Sequence, residues 1–374
     1  MNILILLTAN VSIKKWYLTK VIDREIQIYK ELTKLGNNFT FLSWGLKSDK
    51  DYLKKKFKTK TENIFTSENK LFRFNFFRYL FSIFYVIKYI NNFNNFDIIK
   101  SNQLIGSHIG IIIKFLLKKK FICRLGYEPN MFLKHNNNFI KAILMKIYSK
   151  IIYNYSDIII VTTPYIKKFI IENFGINKKK IRIIPNYVDT EIFKAKNSKK
   201  NNYKKFVTIT RFDKQKNLEF MFNEILIAKA SLDVIGYGKN NEKYRKIIKK
   251  INAKIKFLGP INSVNISKKF SKYDFFISTS KYEGNPKTIL ESMSAKLPVI
   301  ATSVEGIKDI IKDGKNGFII NNKKGSLARK LDLIKKDRIN LNKISENARR
   351  YIMKNNSLSI ISTKENKIYK ELKL

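Results

Sequence analysis

Residues 278–303 read STSKYEGNPKTILESMSAKLPVIATS. A short apolar run, 274–278, stands just ahead and fits a buried strand. Asn285 is a favoured helix cap, and Pro286 suits the first helical position, where its missing N–H costs nothing. A helix is therefore predicted from there to about residue 296. Leu297-Pro298 stops it and opens the next strand, 299–302. The helix start falls just past the carboxyl end of a parallel strand, where open α/β sheets bind ligands. Unpaired N–H groups and the helix dipole favour a phosphate at that point. Glu283 precedes the cap, and Glu291 lies eight residues on, inside the helix. Carboxylates on either side of an anion-binding turn can accept hydrogen bonds from sugar hydroxyls flanking a diphosphate. Either glutamate alone would equally fit a solvated surface residue.

The same alternation extends in both directions. After residue 205 the predicted strands are 206–210, 231–236, 254–258, 274–278, 299–302 and 317–320. Before it they are 2–7, 39–44, 96–100, 121–125, 157–161 and 181–184, with helical patterns such as 19–35 and 140–152. Gly36 stands where a helix C-cap glycine belongs. Residues 194–205, KAKNSKKNNYKK, hold almost nothing apolar and read as a linker. The predicted organisation is a first α/β domain over 1–193, the linker, and a second α/β domain over 206–350. A basic helical segment, 351–374, follows.

Composition narrows the function. The chain of 374 residues has 75 Lys and Arg against 29 Asp and Glu, a net charge of +46, which invites a nucleic-acid partner. The lysines are spread along the whole chain, and Lys, Ile and Asn are abundant together, as an A/T-rich coding bias would make them. Nucleic acid is therefore not the expected partner, and an anionic inner-membrane surface suits the basic surface better. Cys123 is the only cysteine, so no disulfide framework forms within the chain. With His108 and His135 as the only histidines and no HExxH spacing, a zinc enzyme is disfavoured. His108 reads as a packing or surface residue. Residues 1–7 are apolar but lack a basic n-region and a small-residue cleavage site, which predicts a buried strand and a cytoplasmic protein. The stretch 71–90, LFRFNFFRYLFSIFYVIKYI, is long enough to span a bilayer, but Arg73, Arg78 and Lys88 interrupt it. It reads as a core helix, or as an interfacial helix lying on a membrane.

Two further constellations follow strands of the second half. Arg211 and Lys216 flank a predicted strand-to-helix turn; a forked guanidinium and a mobile ammonium together suit a leaving diphosphate. Gly236-Tyr237-Gly238 lets backbone approach a ligand closely, or makes a plain turn. No complete GxGxxG occurs, so a dinucleotide fingerprint is absent.

At these residues the chain resembles the retaining glycosyltransferases of family GT4, the glycosyl transferase group 1 type. The ordered features are Arg211 and Lys216, Gly236-Tyr237-Gly238, Phe257-Leu258-Gly259, the E-x7-E pair Glu283 and Glu291, Pro298-Val299-Ile300-Ala301, and Asp313-Gly314-Lys315-Asn316-Gly317. Ile184-Pro185-Asn186-Tyr187-Val188-Asp189 resembles the family's stretch closing the first domain. The resemblance implies the GT-B fold, two Rossmann-like parallel-sheet domains facing across a cleft, with the last helix crossing back to the first. It implies a nucleotide-sugar co-substrate, UDP- or GDP-linked, with no other cofactor and no metal. Arg211 and Lys216 would hold the diphosphate, Glu283 the donor sugar and Glu291 the ribose. Gly236, Gly238, Gly284, Asn285, Lys287 and Thr288 would complete the donor site. The reaction implied is front-face transfer with retention to a saccharide or lipid-linked acceptor, in bacterial surface polysaccharide or lipopolysaccharide synthesis. An epimerase of the same architecture and a basic nucleic-acid-binding protein are the alternatives. The family's glycine-rich loop after the first strand is here Thr8-Ala9-Asn10-Val11-Ser12, and its loop histidine is replaced within Arg124-Leu125-Gly126-Tyr127-Glu128. Asn10, Tyr127 and Glu128 are the acceptor-side candidates, the last two standing where the histidine is missing.

Overall fold

The computed structural model describes residues 1–46, 48–57, 59–63, 75–133, 139–194, 203–238 and 241–373. The chain divides into two compact units. One comprises Met1–Pro185 with Ile361–Leu374, the other Asn186–Ile360. The division thus falls ahead of the predicted linker, of which 195–202 lie outside the described residues.

Among the described residues the first unit has a parallel sheet of seven strands in the order β3-β2-β1-β4-β5-β6-β7. They are β1 (Asn2–Leu6), β2 (Asn38–Ser43), β3 (Lys60–Asn63), β4 (Ile98–Ser101), β5 (Lys120–Arg124), β6 (Ile158–Val161) and β7 (Ile181–Ile183). The second unit has six parallel strands in the order β10-β9-β8-β11-β12-β13. They are β8 (Lys205–Arg211), β9 (Ser231–Tyr237), β10 (Ile255–Gly259), β11 (Phe275–Ser278), β12 (Val299–Thr302) and β13 (Phe318–Ile320). The central strands β4, β6 and β12 are buried along their whole length, as a parallel sheet covered on both faces requires.

Alternation along the strands of the second unit fills two cores. Phe206, Phe275, Ile277 and Ile300 enter one, while Val207, Phe276, Val299 and Ala301 enter the other. Burying each of these phenylalanines contributes roughly 2–3 kcal/mol of transfer free energy.

Several predicted elements differ from what forms. β3, with the sequence KTEN, is too polar to read as a strand; backbone pairing to β2 makes it one. The helix predicted over 19–35 is two shorter ones, Ile22–Glu25 and Gln27–Lys34. The second ends in a Schellman turn: Gly36, at φ +84°, donates to Thr33 O, and Asn37 donates to Leu32 O. Of the stretch 71–90, residues 71–74 lie outside the described residues; Asn75–Lys88 is helical. Residue 351, the predicted start of the last segment, lies inside the helix Leu341–Asn355. The final helix, Leu358–Lys373, contributes residues from Ile361 onward to the first unit.

That helix is fixed by a buried polar cluster. Lys100 on β4 forms an ion pair with Glu365, and Tyr369 donates its hydroxyl to the same carboxylate. Lys100 also donates to Tyr369 Oη at 3.2 Å, and Asn37 to Asn366 at 2.8 Å. Burial alone would raise the Glu365 pKa; attraction by Lys100 and Arg124 overcomes it and holds the carboxyl below its ordinary value.

Candidate active site

In the second unit the chain leaves β8 for β9 on one side, while β11 leads on to β12 on the other. β8 and β11 are neighbours, so the order of strands reverses between them. A crevice outside the carboxyl ends of such a pair is where open α/β sheets bind ligands. Two loops meet there, 212–217 after β8 and 279–286 after β11.

Hydrogen bonds stitch the loops together. Lys281 N donates to Gln215 O, and Gln215 Nε2 to Tyr282 O, each at 2.8 Å. Thr279 Oγ1 donates to Lys216 O at 3.1 Å and Asn217 O at 3.2 Å. Asn217 takes a left-handed φ of +51°, which lets the turn close before the helix Leu218–Ile227. This framework sets Lys216 Nζ 2.5 Å from Glu283 Oε1, with the two side chains only 19% and 9% exposed. Ser280 donates to the same oxygen at 2.7 Å. The residues read separately from the sequence, Lys216 for phosphate and Glu283 for sugar, are therefore one charged pair. Arg211 ends β8 with a 70% exposed side chain, its guanidinium 3.4 Å from Asp213. Asp213 Oδ1 is itself buried without a hydrogen-bond partner among the described residues. The arrangement offers an exposed guanidinium, a half-buried ammonium and the carboxylates of Glu283 and Asp213 at the switch point.

The helix after the second loop is Lys287–Ser294, so it begins later and ends earlier than predicted. Pro286, at φ −71° and ψ 109°, occupies the cap position, with no side-chain cap bond. Asn285 is drawn off to another task. Its Oδ1 accepts from Asn186 N at 2.8 Å, and its carbonyl accepts from Asn186 Nδ2 at 2.6 Å. Asn356 Nδ2 in turn donates to Asn186 O at 2.8 Å. Asn285 thus anchors the loop instead of capping the helix. Glu291 lies in the second turn of the helix, 5% exposed. Lys287 places its ammonium 4.9 Å from the Tyr187 ring centroid, a cation–π contact. Thr288 accepts Ser292 Oγ through its carbonyl at 2.8 Å.

The glycines act through close packing. A Cβ on Gly236, at φ +140°, would lie 1.8 Å from Thr210 O, and one on Gly238 would lie 2.5 Å from Phe212 Cβ. The Gly-x-Gly spacing lets the end of β9 run against the end of β8. Gly306 meets a similar requirement: a Cβ there would strike the carbonyls of Gly284 and Glu283. That packing role of Gly306 was not read from the sequence.

In the first unit, Glu128 does not face open space. It is fully buried and accepts from Asn130 N at 2.8 Å, Asn130 Nδ2 at 2.7 Å and Tyr153 Oη at 3.1 Å. Burial raises its pKa above the usual carboxylate value, against those hydrogen bonds. It is a packing anchor, and the candidate role as a stand-in for the histidine is withdrawn for it. Tyr127 is 41% exposed, and Asn10, at φ +63°, accepts from Arg78 Nη1 at 3.0 Å. The glycine-free loop 8–12 has its close approach supplied from outside. Gly106, at φ +104°, is placed so that a Cβ there would lie 3.0 Å from Ala9 N. His108 is half-buried, with Nε2 3.1 Å from Ser82 Oγ and Nδ1 3.3 Å from Tyr148 Oη, a packing residue. His135 lies outside the described residues.

Comparison with known proteins gives matches over both units. The family described as glycosyl transferases group 1 matches residues 189–351, and Glycosyltransferase Family 4 matches residues 26–192. An uncharacterized 41.2 kDa protein in the cps region of Klebsiella pneumoniae is 27% identical over 65% of this chain and 70% of that protein. The O-antigen biosynthesis glycosyltransferase WbnH of Escherichia coli is 30% identical over 48% of this chain and 51% of its own length. The fold is similar to that of Anabaena Alr3699/HepE crystallised with UDP and glucose. The TM-score is 0.77 at 16% identity, covering 99% of this chain and 100% of that one.

Proposed function

Because the chain belongs to the GT4-type glycosyltransferases, with the GT-B fold, we propose that it transfers a sugar with retention from a UDP- or GDP-linked donor. The acceptor is a saccharide or lipid-linked saccharide, and the product a bacterial surface polysaccharide or lipopolysaccharide. The O-antigen relative and the cps-region relative support that setting.

The observation that carries the reading is the Lys216–Glu283 pair at the β8/β11 switch point, beside the exposed guanidinium of Arg211. A donor diphosphate has a fork and an ammonium to bind, and both cations gain on the phosphate as the glycosidic bond breaks. Glu283 faces the sugar hydroxyls as a pure acceptor, and Glu291 the ribose. Gly236, Gly238, Gly284, Asn285, Lys287 and Thr288 shape the rest of the donor site, the glycines and Asn285 by holding backbone in place. The leaving phosphate helps take the proton of the attacking hydroxyl, so no separate carboxylate dyad of the hydrolase kind is required. In this reading the Arg211 and Lys216 cations supply the electrostatic stabilisation of the leaving group. Asn10 and Tyr127 remain acceptor-side candidates in the first unit.

A thermal-shift screen against UDP- and GDP-sugars tests the reading. At least one sugar nucleotide should raise the melting temperature, and Glu283→Ala should weaken that shift about tenfold in concentration or more. A shift untouched by the substitution would remove Glu283 from the donor site. Isomerisation of the nucleotide sugar with no acceptor present would make the chain an epimerase instead.

A further inference from the structure

In the first unit, β3 leads to β4, then β5, β6 and β7, always in the same direction across the sheet. Right-handed crossovers therefore put the helices Asn75–Lys88, His108–Leu117 and Phe139–Tyr155 on one face. They lie side by side. His108 meets Ser82 on one neighbour and Tyr148 on the other, and Phe115 packs against Tyr155 with ring centroids 5.2 Å apart.

The outward side of this layer is apolar. Phe77, Leu80, Phe84 and Ile87 recur at helical spacing and are 50–62% exposed. Ile140, Leu144, Ile147 and Ile151 form a second stripe, 46–71% exposed. Stripes of this kind on a solvated helix mark a surface that meets another phase or protein. The charge around them is mostly of one sign; Asp157, just past the third helix, is paired with Lys114. Between residues 75 and 156 the only acidic residues are Asp97 and Glu128. Glu128 is buried, and Asp97 accepts the Asn2 N–H at the start of the sheet. Lys141, on one side, and Lys146 and Lys150, on the other, flank the second stripe. Long lysine stems can lie along an apolar surface while their ammonium groups reach anionic headgroups. A protein partner would need an acidic rim around an apolar centre; a bilayer of anionic lipid supplies both over any area. Among the described residues no helix is long and apolar enough to cross a membrane.

We propose that this three-helix face is a docking surface for an anionic lipid bilayer, on which the first unit lies with its apolar stripes at the headgroup boundary. The surface gives a lipid-linked acceptor its place, and for that purpose it rests on the transferase reading. Its test needs no turnover, so either can fail alone.

The test is co-sedimentation of the full chain with vesicles of phosphatidylcholine, with and without about a third phosphatidylglycerol. Binding should be about tenfold or more tighter with phosphatidylglycerol and should weaken with salt. Leu144→Glu with Ile147→Glu, and separately Lys146→Glu with Lys150→Glu, should each lower vesicle binding about tenfold or more. All four positions are exposed, so the melting temperature and the response to nucleotide sugars should stay as in the parent. Absence of binding to the anionic vesicles overturns the proposal, as does binding that both variants retain. If instead sedimentation shows a dimer that Leu144→Glu with Ile147→Glu splits, with vesicle binding unchanged, the face is a contact between copies and the proposal fails.

Discussion

A methyl group on Gly306 would lie 1.9 Å from Gly284 O and 2.3 Å from Glu283 O. Gly306→Ala must therefore push the 283–284 backbone aside or unseat the short helix Glu305–Lys308. The expected cost is about 1–3 kcal/mol in thermal denaturation, with loss of donor response, since the displaced backbone carries Glu283. An unchanged melting temperature would mean that this contact is slack. His108 makes a prediction of a different kind. Burial pushes its pKa down from 6.5 to about 4, so the folded protein keeps the ring neutral. A depressed folded pKa means that the unfolded chain binds the proton first. The stability is complete above pH 6.5 and is lost as the pH falls toward 4, by about 3 kcal/mol. Urea titrations between those limits should show the slope, and His108→Gln should flatten it.

Elements differ in how openly their sequences declare them, and the reason is what their side chains meet. β11 and β12 of the second unit were legible because they are apolar runs buried between two cores, as Phe275 and Phe276 are. β3 was not, because the sequence KTEN contains no apolar run, and it is the pairing to β2 that makes it a strand. The helix after β11 was legible, but its cap was misread: Asn285 has the right chemistry for capping and spends it on Asn186, a residue 99 positions away. The Lys216–Glu283 contact could not be read for the same reason, since nothing local joins positions 67 residues apart. The final helix depends on such a distant contact. Removing one partner of the buried Lys100–Glu365 pair leaves the other charge uncompensated, so Lys100→Met or Glu365→Gln should cost about 3–5 kcal/mol in urea denaturation. A loss below about 1 kcal/mol would show that the helix is held by its apolar contacts, such as Ile361 and Ile368, instead.

For the molecule as a whole, charge was the loudest signal and the least informative about chemistry. A net +46 spread over the chain says what surfaces the protein approaches, not what it does there. The resemblance to the transferase family was carried by the second unit, where Arg211, Lys216, Glu283 and Glu291 follow in order along the chain. It was less so in the first, where Glu128 proved to be a buried anchor. The central claim is that the cations at the β8/β11 switch point stabilise a departing nucleoside diphosphate. Its most direct test is the initial rate of nucleoside diphosphate release from the sugar nucleotide that shifts the melting temperature, for the parent chain and for Lys216→Ala. The account predicts a fall in kcat of about 10²–10³-fold with the fold intact, because the lost ammonium acts chiefly on charge that develops as the bond breaks. A Lys216→Ala protein that releases the diphosphate at the parental rate would contradict it.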